Sequence, residues 1–197
     1  MSQQNQNATA KDAVALLTAD HAKVKSLFHE FKQCDASNEG LKHDLAQQIC
    51  MDLTIHATIE EEIFYPAFRA ETGDRQQVDE ALEEHGSIKE LVEHIRGMAV
   101  GDNELNSTVQ KLRECVEHHV TEEEQEMFPK MRQSDADLSA LREQLQDRKE
   151  ELEHDFGAQP VRGNNTATST TSTRACRPTA TRPGSRRWRS TPTSRYA

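Results

Sequence analysis

Long apolar runs are missing from this sequence of 197 residues. No stretch of about 18 apolar residues occurs, so the sequence predicts no membrane-spanning helix. The first residues, Met1 to Asp12, are polar and rich in Gln and Asn, and they lack the apolar centre of a secretory signal peptide. We therefore predict that the protein is neither inserted in a membrane nor exported.

Paired cysteines are also missing. The four cysteines lie far apart, at Cys34, Cys50, Cys115 and Cys176, and no C-x-x-C pair occurs. Three of them fall in segments with helical apolar spacing. The sequence therefore predicts reduced thiols rather than a disulfide framework, and with them a cytoplasmic location.

Acidic residues are absent from the C-terminal fifth of the chain. All 34 Asp and Glu precede residue 156, where 16 Lys and Arg oppose them, so residues 1–156 carry a net charge of −18. This charge argues against nucleic acid or an anionic membrane as the partner of that part, because both are polyanions.

Residues 157–197 have a different composition, with eight Arg among Ser, Thr, Pro and Ala, no Lys and no apolar periodicity. We predict a disordered basic tail here and a flexible N-terminus at residues 1–9. The abrupt change is also what a shifted reading frame in GC-rich DNA would produce. Resequencing the 3′ end of the gene tests that hypothesis, and an intact frame would overturn it.

What the sequence does have is helical periodicity. Hydrophobic residues make up 34% and charged residues 29%, a balance that suits amphipathic helices burying one stripe each. Apolar residues recur at helical spacing over residues 10–33, 41–70, 75–98, 104–131 and 135–156. Because short loops imply antiparallel neighbours, we predict an all-α fold, with an up-down-up-down four-helix bundle over residues 10–134. The helix at residues 135–156 should pack outside this bundle or extend from it.

One short motif occurs twice in the predicted bundle. The pattern H-x-T-x-E-E, followed by an aromatic residue and Pro, begins at His56 and again at His119. A His and a Glu four residues apart lie on one face of a helix, so each copy presents two potential metal ligands together.

A second repeat accompanies the first. Asp20-His21-x-x-Val24-Lys25-x-Leu27 resembles Glu84-His85-x-x-Ile88-Lys89-x-Leu91. His21 precedes His56 by 35 residues, and His85 precedes His119 by 34. Each half of the bundle thus carries an acid-His pair on one helix and His-x-x-x-Glu on the next, which indicates an internal duplication.

Four His and two Glu fall within the apolar stripes, where burying them is costly unless a cation compensates them. We therefore predict a metal site made by His21, His56, Glu60, His85, His119 and Glu123. The alternative is an imperfect core lined by polar side chains. The neighbouring acids Asp20, Glu61, Glu62, Glu84, Glu122 and Glu124 are predicted to be solvated, with Glu61 and Glu124 as an alternative path for iron. His118 with Glu122 is taken as an accidental pair, and Tyr65 and Phe128 as packing residues.

At these residues the chain resembles the hemerythrin-like, or HHE cation-binding, domain family, over about residues 10–135. The resemblance implies two non-haem irons joined by an oxo or hydroxo bridge, with four terminal His ligands and two bridging carboxylates. Manganese stays open as an alternative, whereas zinc and magnesium suit this mixed shell less well. Oxygen-carrying members have a further His where this chain has Lys89. Its absence implies an open position on each iron, which favours ligands that bridge both.

The resemblance implies a protein that binds or reacts with O2, peroxide or NO, either as a sensor or as a detoxifier with catalase-like activity. Iron storage or delivery, including repair of iron–sulfur clusters, is a second hypothesis. A metal-free helical interaction module is a third.

Overall fold

The computed structural model describes residues 11–158, and all regular structure within them is helical. The helices are α1 (Ala13–Gln33), α2 (Glu39–Ile59), π1 (Glu60–Phe64), α3 (Tyr65–Thr72), α4 (Arg75–Arg96), α5 (Leu105–Glu122), π2 (Glu123–Met127), α6 (Phe128–Gln133) and α7 (Leu138–Ala158). The predicted flexible N-terminus lies outside the described residues. So does the predicted tail, apart from residues 157–158 at the end of α7.

The predicted all-α four-helix bundle is confirmed within the described residues. Its members are α1, the continuous α2–π1–α3 helix, α4 and the continuous α5–π2–α6 helix. The first helix begins at Ala13 rather than at residue 10, because Asp12 caps it by accepting a hydrogen bond from the Ala15 amide at 2.8 Å. The last helix begins at Leu138 rather than at residue 135. Asp137, just before it, accepts a hydrogen bond from the Ala140 amide at 3.0 Å.

The apolar stripes form two buried clusters. One cluster contains residues from the second halves of α1 and α4, from the first half of α2, and from α5 along its length. Phe28, Ile49 and Ile95 are among its members. The other contains the opposite ends of these helices together with α7, and it includes Phe64 and Leu145. Each helix of the bundle passes from one cluster to the other near a buried histidine, and in two of them a buried glutamate follows one turn later. These residues form a polar layer across the middle of the bundle: His21, His56, Glu60, His85, His119 and Glu123.

The fifth long helix, α7, packs against α1, α2 and π1. Its apolar residues Leu141 and Leu145 are buried there. Lys149 forms an ion pair with Asp20 of α1, and Arg148 donates from Nε to Glu62 of π1 at 2.7 Å. One half of the bundle is therefore covered by a fifth helix. Within residues 11–158, no helix is both long enough and apolar enough to cross a bilayer.

Candidate metal centre

Both predicted glutamate ligands stand at the first position of a π turn. The amide of Tyr65 donates to the Glu60 carbonyl, and the amide of Phe128 donates to the Glu123 carbonyl, each across five residues. A proline follows each aromatic residue; proline has no N–H and its ring crowds the preceding turn of an α-helix. A single widened turn relieves this conflict, and such turns are frequent at functional sites. The apolar periodicity predicts continuous α-helices here, and the repeated aromatic-Pro pair is the sequence feature that indicates the π turns.

All six predicted ligand side chains come together in the middle layer, where none is more than 6% exposed. The Nε2 atoms of His21 and His56 are 3.0 Å apart, as are those of His85 and His119. Glu60 lies between the two pairs, with Oε1 3.1 Å from Nε2 of His56 and Oε2 3.5 Å from Nε2 of His85. Two groups of donors thus share one carboxylate.

The second carboxylate also reaches both pairs. Oε2 of Glu123 is 3.3 Å from Nε2 of His21 and 3.5 Å from Nε2 of His119. The structure therefore places each glutamate of the repeated motif against one imidazole from each half of the bundle, which is the arrangement that a shared pair of ions requires.

The donor set fits a pair of bound cations. Both carboxylate oxygens of Glu60 and Oε2 of Glu123 are buried and have no hydrogen-bond partner among the described residues. Burying carboxylate oxygens without a partner is costly. The Nε2 spacing also fits, because two ligands at about 2.1 Å from one ion and about 90° apart are separated by about 3.0 Å. Six imidazole and carboxylate ligands without thiolate suit iron or manganese.

Carboxylates hold the outward-facing nitrogens of the histidines. Nδ1 of His21 is 3.0 Å from Glu124, and Nδ1 of His85 is 2.8 Å from Glu61. Hydrogen bonds from His85 and Lys89 lower the pKa of Glu61, so its carboxylate accepts and Nδ1 carries the proton. When the ring is neutral, that tautomer leaves Nε2 with a free lone pair toward the centre. The prediction that Glu61 and Glu124 are solvated is therefore wrong, because each is partly buried against a histidine. The alternative, that they line a path for iron, stays a prediction.

The acids that precede His21 and His85 in the sequence face the other two histidines. Glu84 accepts from Nδ1 of His119 at 2.9 Å, whereas Oδ2 of Asp20 lies 3.8 Å from Nδ1 of His56. The second distance is that of an ion pair rather than a hydrogen bond. Asp20 and Glu84 were also predicted to be solvated, and this is wrong because each side chain crosses to a neighbouring helix.

Lys89, at the position of the additional His in oxygen carriers, points away from the centre. Its ammonium group donates to both carboxylate oxygens of Glu61 at 2.6 Å. Lys25 in the other half donates to Glu124 at 3.3 Å. Both lysines therefore support the carboxylates that orient His21 and His85.

The electrostatics of the layer favour a cation. Burial opposes protonation of His56, but the Glu60 carboxylate beside it and Asp20 raise its pKa to about 10. The same balance, with Glu60 and Glu61 as neighbours, raises the pKa of His85 to about 9. For Glu60 itself, burial acts in the opposite direction, yet His56 and His85 hold its pKa well below the usual value. The negative charge of the carboxylates favours protonated histidines in the metal-free protein. The same charge would favour bound metal ions.

Tyr65, which the sequence predicts to be a packing residue, belongs to the centre. It is buried, and its hydroxyl donates to Oε1 of Glu123 at 3.0 Å while lying 3.1 Å from Nε2 of His85. Burial and the surrounding carboxylates raise the pKa of Tyr65 well above its usual value, so the phenol keeps its proton. The equivalent Phe128 stacks on His21 at 5.6 Å. The two halves of the centre are therefore chemically different.

A small cavity adjoins the four histidines. Its volume is about 20 Å³, and apart from the imidazoles and Asp20 its lining is apolar: Val24, Leu53, Ala57, Ile88, Val116 and Val120. One water-sized molecule needs about 10–15 Å³. The cavity therefore has room for about one or two water-sized groups, which is the size of a diatomic molecule.

Comparison with known proteins agrees with this geometry. The family described as the hemerythrin HHE cation binding domain matches residues 12–131, with a second match over residues 83–159. A crystal structure of a hemerythrin HHE cation-binding domain-containing protein from Mycobacterium kansasii has a TM-score of 0.63 and 23% identity, covering 73% of this chain and 88% of that one. At that identity the likeness concerns the fold.

Two curated relatives match over shorter stretches. A protein of Nostoc sp. named DNA nickase is 35% identical over 118 residues, which are 59% of this chain and 32% of the relative. An uncharacterized hemerythrin-like protein of Schizosaccharomyces pombe is 24% identical over 112 residues, covering 56% of this chain and 54% of the relative. The match thus spans from about a third to about half of these relatives.

Proposed function

Because the chain belongs to the hemerythrin HHE cation-binding domain family, we propose that it is a non-haem di-iron protein. It binds or reacts with O2, peroxide or NO, as a sensor or as a detoxifier with catalase-like activity. The observation that carries the proposal is the buried layer of four imidazoles and two carboxylates beside a cavity of about 20 Å³, with oxygens on Glu60 and Glu123 that accept no hydrogen bond from the described residues.

Each half of the bundle would hold one iron. His21 and His56 would hold the first, His85 and His119 would hold the second, and Glu60 and Glu123 lie where they would contribute to both. Iron is favoured over zinc because the donors are imidazole and carboxylate without thiolate, and manganese is the alternative. The bound metal pair supplies reversible binding of, or electron transfer with, the small molecule.

The chain itself has three tasks at this site. The carboxylates Glu61, Glu84 and Glu124 fix the imidazoles with Nδ1 protonated and Nε2 free. Tyr65 holds one oxygen of Glu123 by a hydrogen bond. The apolar wall of the cavity excludes bulk water and limits the ligand to a few atoms. This wall offers no hydroxyl or amide side chain to a ligand, which favours O2 and NO over anionic ligands.

DNA nicking is not proposed for this chain. The relative with that name is covered over 32% of its length, so most of it lies outside the match. Residues 1–156 carry a net charge of −18, which repels a polyanion. A supercoiled-plasmid assay with the iron-loaded protein checks this, and nicking that depends on Glu60 would contradict it.

Metal analysis after expression in iron-rich medium tests the proposal. We expect two irons per chain in the wild type and an optical spectrum that changes on anaerobic addition of NO or on addition of O2 to the ferrous protein. Glu60→Gln should lose most of the iron, whereas Glu62→Gln, two residues along the same turn and half-exposed, should retain it. Wild-type protein that retains no iron would refute the proposal.

A further inference from the structure

Three donor side chains from two helices meet at one corner of the bundle surface. Nε2 of His118 is 3.1 Å from Glu84 and 3.3 Å from Glu122. His118 and Glu122 are 66% and 44% exposed, and Glu84, on α4, is 21% exposed. One imidazole nitrogen and two carboxylate oxygens therefore lie close enough together to bind one ion.

This surface group is joined to the buried layer by a single carboxylate. Glu84 faces His118 with Oε1, and with Oε2 it accepts from Nδ1 of His119 at 2.9 Å. The donors of the surface and those of the interior thus form a continuous series from solvent to His119.

The equivalent corner of the other half is closed. By the internal repeat, Asp20 corresponds to Glu84, and Ile55 and Ile59 correspond to His118 and Glu122. Both isoleucines are buried, and Lys149 of α7 forms an ion pair with Asp20. Among the described residues, an exposed imidazole next to an acid that holds a buried histidine occurs only in the half that α7 does not cover. This imidazole is His118, and the acid is Glu84, which holds His119.

We propose that Glu84, His118 and Glu122 bind a divalent transition-metal ion at the surface, and that the buried centre is loaded through this group. An imidazole with two carboxylates suits Fe²⁺, Mn²⁺, Co²⁺ or Zn²⁺. Because His118 and Glu122 are exposed, water completes the coordination and the ion exchanges readily. The loading role rests on the proposed di-iron function, whereas binding at the surface does not.

A simpler interpretation is that His118 makes only ordinary surface contacts with two carboxylates, and exposed contacts of this kind contribute little energy. The two interpretations predict different affinities for a metal ion and different rates of metal loading. If only such contacts are present, His118 and Glu122 affect neither the affinity for a metal ion nor the rate at which the centre fills.

Binding and loading are measured with Co²⁺ on the full chain. For binding, iron-loaded protein is titrated with Co²⁺, and the visible absorption of bound cobalt is recorded. For loading, metal-free protein is mixed with Co²⁺, samples are quenched with a chelator that strips exposed ions, and retained cobalt is measured over time. The variants are His118→Ala and Glu122→Gln. His94→Ala is the matched control, because His94 is exposed on α4 and belongs to no donor group of the described residues.

We expect both variants to lose the surface cobalt signal and to load roughly 10-fold more slowly, since even removing a partner of a ligand lowers metal affinity about 10- to 100-fold. Their final cobalt content should equal that of the wild type and of His94→Ala. Equal loading rates in all four proteins would overturn the loading role, and equal cobalt titrations would overturn the surface site. A wild type that retains no cobalt or iron would instead refute the di-iron proposal.

Discussion

At the scale of residues, the outer nitrogens of the histidines determine how the centre is arranged. Three of the four imidazoles donate from Nδ1 to a carboxylate at 2.8–3.0 Å, and these acceptors are Glu61, Glu84 and Glu124. The helices that carry the histidines fix only their positions. The carboxylates fix the ring orientation and the tautomer, and so determine whether Nε2 is available to a metal ion.

Tyr65 is the residue at which the two halves differ most. Replacing it with Phe, as at Phe128, removes the hydrogen bond to Glu123 and leaves a buried carboxylate oxygen without a partner. We expect Tyr65→Phe to lower the free energy of unfolding of the metal-free protein by about 1–3 kcal/mol in urea denaturation. The same substitution made in Glu123→Gln should cost less, because the phenol then has a weaker acceptor. Equal losses in both backgrounds would mean that the hydroxyl acts through packing alone.

At the scale of elements, the helices and the ligand-bearing repeat were predictable, whereas the surroundings of the ligands were not. The 3.6-residue periodicity and the spacing of His21, His56, His85 and His119 are local properties of the sequence. The π turns at Glu60 and Glu123 shift side chains from their ideal α-helical directions, so spacing alone placed Glu61 and Glu124 in solvent. Asp20 and Glu84 contact histidines of neighbouring helices, and those contacts depend on how the helices are paired.

The contribution of α7 to stability can be tested at the two ion pairs that it forms with one half of the bundle. Lys149 and Asp20 are 17% and 12% exposed, so removing the lysine leaves a mostly buried carboxylate with the longer contact to His56, at 3.8 Å. We expect Lys149→Ala to lower the free energy of unfolding by roughly 1–3 kcal/mol. Arg148→Ala, one residue earlier on the same helix, removes a more exposed pair with Glu62 and should lower the free energy of unfolding less than Lys149→Ala does. Urea denaturation compares them, and a larger loss for Arg148→Ala would contradict this account.

At the scale of the whole molecule, one polar layer lies between two apolar clusters, so protons and metal ions compete for the same interior. Metal ligation requires neutral imidazoles and therefore releases protons. The net charge of −18 on residues 1–156 adds to the attraction for cations of either kind.

This competition predicts opposite pH dependences for the metal-free and metal-loaded protein. The pKa values of His56 and His85 are raised to about 10 and about 9, above the value of about 6.5 in an unfolded chain. Their protonation therefore stabilises the metal-free fold fully below about pH 6.5, and this contribution is lost as the pH rises toward 9–10. The lowered pKa of Glu60 acts only under acidic conditions and does not enter this range.

We expect urea denaturation of the metal-free protein to show a falling free energy of unfolding between pH 6.5 and 9, by at most about 1.4 kcal/mol per pH unit for each histidine. The stabilisation produced by iron should grow over the same range, because fewer protons must be displaced. Glu60→Gln removes the carboxylate that raises both pKa values, so its metal-free stability should depend less on pH. A metal-free wild type whose stability rises toward pH 9 would show that these imidazoles are not protonated in the folded protein, and that the buried carboxylates are neutralised in another way.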